Sequence, residues 1–149
     1  MSRRSSRPRR GTAPAKPAGR TATPTAPSAC PCGLPAAYQE CCGRLHTGQG
    51  VAASAEALMR SRYSAFVVRD EAYLLRSWHP RTRPERVDFD PGLHWDRLEV
   101  LETTDGSAFH TAGTVTFRAH YRHRGHPGEM EEQSRFARHD GAWVYVDAL

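Results

Sequence analysis

All four cysteines of the chain fall in one short stretch: Cys30-Pro31-Cys32, eight residues, then Cys41-Cys42. Two thiolates from one tight turn and two from adjacent positions, joined by a loop long enough to reverse the chain, form the donor set of a tetrahedral ion held by sulfur. Pro31 stiffens the first turn, and Gly33 can take the positive φ that points backbone amides at the sulfurs. Cys41-Cys42 is placed at the start of a short helical turn. If all ligands come from the protein, no coordination position stays open. The expectation is therefore one structural zinc ion on Cys30, Cys32, Cys41 and Cys42. Two readings compete with it. Four cysteines allow three disulfide pairings, but neighbours such as Cys41 and Cys42 rarely bridge each other, and a cytosolic chain favours thiols. A redox pair would favour the CxxC spacing of thioredoxin-like sites, whereas this spacing is CxC.

The rest of the composition divides around this stretch. The chain has 149 residues, 38% of them hydrophobic, and a mean hydropathy of −0.67. That is the size of one small domain with appendages, with an apolar content diluted by something unfolded. Residues 1–29 supply the dilution: they hold seven of the 21 basic residues, no acid and five prolines. They cannot bury enough apolar surface to offset the entropy of ordering, so a disordered tail is expected. The remainder carries 14 basic against 16 acidic residues, so the pI of 9.4 belongs to the tail. Weak contact with nucleic acid or an anionic surface is the functional reading of such a tail. It has no aromatic residue for base stacking. No run of 18 apolar residues and no apolar leader is present, and the prolines oppose an amphipathic targeting helix. A cytoplasmic protein is expected.

Residues 51–149 read as one α+β domain. Ala52 to Val68 is helical, with Ser54 as N-cap, Glu56 in the first turn, and Leu58, Met59, Tyr63, Phe66 and Val67 as an apolar stripe. Asp70 caps a second helix, Glu71 to Trp78, which His79-Pro80 ends. Residues 80–93 form a loop. The period then changes to two. Leu98, Val100 and Glu102 alternate with Arg97, Glu99 and Leu101. Phe109, Val115, Phe117, Ala119 and Tyr121 mark the buried face of a long strand. Arg124 to Gly128 is a turn, Met130 to His139 a third strand, Asp140-Gly141 a tight hairpin and Trp143 to Val146 a fourth strand. Two helices followed by a bent antiparallel meander close into a cone with an interior pocket.

The motifs CPCG, a following Tyr, and CCG resemble the SEC-C zinc motif, which occurs at the C-terminus of the SecA preprotein translocase ATPase. LMRSRYSAF (58–66), YLLRSWHP (73–80) and SRFARHDGAWVYVD (134–147), with their spacing, resemble the YchJ family of bacterial proteins over residues 30–149. The resemblance implies an NTF2-like domain, a curved sheet and helices around a cone, over 51–149, with a SEC-C-like knuckle over 30–46. Some family members carry a second SEC-C motif at the C-terminus, whereas this chain ends at Asp147-Ala148-Leu149. The family's glycine–lysine segment is replaced here by Leu34-Pro35-Ala36-Ala37, which removes basic residues from the knuckle.

The resemblance brings no activity, so a pocket must be argued from residues. Arg62, Tyr63, His79, Trp95, Glu132 and Arg135 are its candidates, with His79 or Asp96 as a base of the ketosteroid-isomerase kind. Core filling by the aromatic residues and a salt bridge from Arg62 to Glu132 are the structural alternatives. No nucleophile–base pair stands out. The HYRHRGH stretch, with His120, His123 and His126, reads as a solvated basic hairpin that extends an electropositive surface. The knuckle resembles the module that in the translocase mediates contact with protein partners and ribosomes, and that resemblance implies recognition ahead of catalysis: a zinc-bearing adaptor whose knuckle docks on a protein or ribosomal partner. The alternative is a small-molecule binder or enzyme using the cone, with zinc as a staple. Analogy with NTF2-like sheets adds a homodimer.

Overall fold

The computed structural model describes residues 28–149. The tail, up to residue 27, lies outside the described residues. Its last two positions pair with the knuckle: Tyr38 N–H donates to the Ser28 carbonyl at 3.1 Å, and Ala29 bridges Ala37.

A 3-10 turn, Tyr38–Glu40, leads into α1, Cys42–His46. Helix α2 spans Ala55–Val68 and α3 Glu71–Arg76. Both N-caps act as the sequence predicts. Ser54 Oγ accepts from Ala57 N–H and the Asp70 carboxylate from Tyr73 N–H, each at 3.0 Å. Helix α3 stops two residues earlier than expected. Ser77 Oγ turns back to the Tyr73 carbonyl at 2.7 Å, and the Ser77 carbonyl accepts from Tyr145 N–H at 2.9 Å. His79 N–H donates to the Tyr145 carbonyl at 2.8 Å. A sheet edge has thus captured the backbone before Pro80 could end the helix.

The sheet contains β1 (Leu93–Asp105), β2 (Ala112–His123), β3 (His126–His139) and β4 (Ala142–Ala148) in the order β1-β2-β3-β4, every pair antiparallel. Two boundaries differ from the sequence reading. The β2–β3 turn is only Arg124-Gly125, with φ of 52° and 85°, so Pro127 and Gly128 belong to β3. Two positive φ values in a two-residue loop match the twist of the flanking strands. Phe109 is not on a buried face: it is 95% exposed in the β1–β2 connection. Asp105 and Gly106, with φ of 53° and 78°, turn the chain there, and β2 starts only at Ala112.

Register shifts in β1, after Trp95 and after Val100, bend the sheet. The concave face places Val115, Phe117, Phe136 and Trp143 against Leu58, Met59 and Tyr63 of α2. At the hairpin end, Gly113 lets the β1–β2 turn close against β2: a Cβ there would lie 2.5 Å from Gly106 N. The Gly106 carbonyl in turn accepts from Ala55 N–H at 2.9 Å, which anchors the start of α2.

The convex face is a lattice of arginine–carboxylate ion pairs and histidine–carboxylate contacts. Arg118 reaches Glu131 at 3.1 Å and Glu99 and Glu129 at 3.6 Å. His120 meets Glu99 at 2.6 Å, Arg122 meets Asp96 at 3.1 Å, and His123 meets Asp90 at 2.9 Å. The HYRHRGH stretch is therefore not an isolated basic patch. Its acidic partners come from β1, β3 and the preceding loop, and local sequence does not reveal them.

Candidate metal centre and cone cavity

The sulfur-ligand atoms of Cys30, Cys32, Cys41 and Cys42 all lie within 4.8 Å of one another, and Cys32 and Cys41 are 3.7 Å apart. Tetrahedral thiolate coordination at about 2.3 Å requires sulfurs about 3.8 Å apart. All four cysteines are free thiols, and Cys30, Cys32 and Cys42 are buried. Gly33 takes φ of 94°, and its N–H donates to the Cys30 carbonyl at 3.2 Å. Donation from Cys32 and Cys42, side chain first and then backbone N–H, favours Cys30 as the thiolate. Burial and then the neighbouring sulfurs push Cys41 up to about 12; Cys42 is raised, first by its hydrogen bonds to Cys30 and Cys32. Four thiols this close cannot all ionise unaided. A bound divalent cation removes that obstacle, since metal binding releases the protons. The geometry and donor chemistry suit a thiolate-bound metal.

The knuckle is docked on the domain, which the sequence reading did not find. Arg60 Nη1 donates to the Cys32 carbonyl at 2.7 Å, and Cys30 Sγ contacts Ser64 Oγ at 3.7 Å. His46, which is buried, donates from Nε2 to the Ser61 carbonyl at 2.8 Å. Its Nδ1 must then accept, and the Tyr38 hydroxyl donates to it at 2.6 Å. Arg76 closes the end of α1 through the His46 carbonyl at 2.6 Å and stacks on Tyr73. The only signal in the sequence was Ser61 and Ser64, small residues at i, i+3 on a helix, both fully buried here. They let the knuckle backbone approach α2. Gly43 is a second close approach, because a Cβ would sit 2.6 Å from the Tyr38 carbonyl oxygen. Gly43→Ala is expected to weaken metal retention about 10- to 100-fold with all four cysteines intact, as loss of a supporting contact does. Competition with a chelator checks this.

Beneath α2 lies a cavity of about 170 Å³. Arg62, Tyr63, Trp95 and Glu132 line it; His79 and Arg135 do not. His79 lies beside His139, with the ring centroids 5.1 Å apart and the planes tilted by 56°. Arg135 forms a two-pronged pair with Asp147 at 2.6 Å on the outer side of β3. Side chains alternate along a strand, so Glu132 and Ser134 facing inward put Arg135 outward. Asp96 is likewise outside, paired with Arg122. Neither proposed base reaches the cavity. Arg62 makes no ion pair with Glu132. Its Nη1 donates to the Leu74 carbonyl at 2.8 Å and to Ser77 Oγ at 2.7 Å. Its guanidinium carbon lies 4.8 Å from the Trp78 ring centroid and 4.7 Å from that of Tyr145. Burial lowers its pKa to about 10, which leaves it charged at neutral pH. Glu132 accepts from Ser134 Oγ at 2.6 Å and from the Tyr145 hydroxyl at 3.2 Å. Burial first, and then Glu132, push Tyr145 up to about 12.

A cone of this kind, with a four-cysteine knuckle docked on its helix, defines an NTF2-like domain carrying a SEC-C-type motif. Residues 54–148 match the family described as "YchJ, middle NTF2-like domain". A UPF0225 protein of Streptomyces avermitilis is 63% identical over 130 residues, covering 85% of this chain and 90% of the relative. The chain belongs to the YchJ, or UPF0225, family. The solution structure of a SEC-C motif containing protein from Rhodopseudomonas palustris is similar at a TM-score of 0.70 and 32% identity, covering 80% of this chain and 96% of that one. The crystal structure of a sec-c motif containing protein from Psychrobacter arcticus gives a TM-score of 0.66 at 27% identity, covering 79% of this chain and 80% of that one. No helix among the described residues is long and apolar enough to cross a membrane.

Proposed function

We propose that the chain is a small cytoplasmic adaptor. One zinc ion on Cys30, Cys32, Cys41 and Cys42 fixes a recognition turn, and that turn docks on a protein surface of a free or ribosomal partner. The observation that supports this is the turn itself. Leu34, Pro35, Ala36 and Ala37 are consecutive, apolar and all exposed, Leu34 at 43%. Such a run on a surface marks contact with something else. Arg60 on the Cys32 carbonyl and the Ala29–Ala37 bridge hold its base. The turn lacks the charges and aromatic rings that RNA contact needs. Four protein thiolates leave the metal no open position, so its role is structural. Weak contact of the basic tail with an anionic surface and a homodimer belong to the same proposal. A dimer would not use the convex sheet face, where the charges are already paired.

Affinity capture with the full chain, Leu34→Asp and Cys41→Ser tests the adaptor reading. Leu34→Asp is expected to keep its metal and its melting temperature but lose the partner that the full chain holds. Identical captures by the full chain and Leu34→Asp would refute it.

A second reading has one observation in its favour. The cavity beneath α2 is open and not filled by Tyr63, Trp78 and Trp95. That suits a small-molecule-binding NTF2-like protein or enzyme in which the metal is only a staple.

A further inference from the structure

We propose that the cone cavity binds a small aromatic monocarboxylate, with its carboxylate on Arg62 and its ring between the aromatic walls. The inference rests on the second reading above and names the ligand class. Three observations converge on it. First, the cavity, at about 170 Å³, is of the size that admits one aromatic ring. Its walls include Tyr63, Phe66, Trp78, Trp95, Phe117 and Tyr145, a lining that favours a flat apolar body over a sugar or a phosphate ester.

Second, Arg62 is 6% exposed and lines that space. Both of its hydrogen bonds to the described residues leave from Nη1, to Leu74 and Ser77. Nε and Nη2 have no partner among the described residues, and no carboxylate there lies within ion-pair distance of the guanidinium. Glu132 of the same lining offsets the Arg62 charge only through space, so an anion that enters the cavity can give the guanidinium a direct partner. Nε and Nη2 also form the edge that takes a carboxylate through two parallel hydrogen bonds.

Third, the guanidinium is held in place before any ligand arrives. Trp78 and Tyr145 flank it, and the end of α3 fixes Nη1. A preorganised donor loses little freedom on binding. Glu132 is the one group that opposes an anion. It is tied to the β3–β4 side by Ser134 and Tyr145 and so does not close onto Arg62.

The test is titration of the full chain with benzoate, followed by tryptophan fluorescence and calorimetry, with benzyl alcohol as the neutral analogue. Benzoate is expected to saturate the signal and to bind about tenfold or more tightly than benzyl alcohol, the worth of a charge-assisted hydrogen bond. Glu132→Gln should tighten benzoate severalfold and leave benzyl alcohol unchanged. Arg62→Met should abolish the preference for benzoate. Because Arg62 also supports α3, a failure of that variant to fold leaves Glu132→Gln and the two-ligand comparison to decide. Benzyl alcohol binding as tightly as benzoate would overturn the carboxylate assignment while the cavity reading stood. If neither compound bound at millimolar concentration, both would fall.

Discussion

Cys41→Ser is expected to release the bound metal and to lower the stability of the remaining domain by about 3 kcal/mol without unfolding it. Cys41 is the most accessible of the four ligands, so serine fits and the effect reports on coordination. Without the ion, only weak thiol hydrogen bonds join buried Cys30 and Cys42, and the knuckle loses the main force that keeps it closed. Its contacts with the domain go with it: His46 to the Ser61 carbonyl at 2.8 Å, Arg60 to the Cys32 carbonyl at 2.7 Å, and Arg76 to the His46 carbonyl at 2.6 Å. At about 1 kcal/mol each, these sum to the stated loss. The concave core does not depend on them, since Leu58, Met59 and Tyr63 face the sheet from the other side of α2. For a domain of this size, about 3 kcal/mol lowers the melting temperature by roughly 10–20 °C. Metal content per chain and a thermal melt followed by circular dichroism measure both parts. Full occupancy in the variant, or an unchanged melt, would refute the account.

The ligand spacing, both helix caps and the antiparallel meander were legible because each is local: a cap is four residues, an alternation is a handful. The docking of the knuckle was not. It depends on Ser61 and Ser64, two small polar residues outside the apolar stripe of α2, over which the structure puts Cys30 and His46. The pocket was half legible for a different reason. Arg62, Tyr63, Trp95 and Glu132 meet because α2 lies across the concave face. His79 and Arg135 fail on direction. The β4 edge captures His79 through its backbone, and strand alternation places Arg135 on the convex side, where Asp147 pairs with it. Residue type alone does not say which face of a strand a side chain occupies. Glu132 and Arg135 are an odd number of positions apart, and that alone sets them on opposite faces of a regular strand.

Phe136→Ala is expected to cost about 4 kcal/mol, a larger loss than removal of the metal. Phe136 is 2% exposed on β3, flanked by Tyr145 at 5.8 Å, and forms part of the cavity wall. Truncating a buried phenylalanine costs about 3–5 kcal/mol, and the loss grows with the void that remains. Here the void cannot close. Val115, Trp143 and Tyr145 belong to strands whose register is fixed by the ladder, and Gly113 already brings β2 as near the β1 turn as backbone atoms permit. The new space therefore joins the existing cavity. This sets the substitution apart from an ordinary core deletion: a ligand larger than one ring should recover part of the lost stability in the variant and none in the parent. Denaturant unfolding of both proteins, with and without 2-naphthoate, separates the outcomes. A loss below about 1.5 kcal/mol would mean that the strands collapse into the gap, and the rigid, preformed cavity described here would then be wrong.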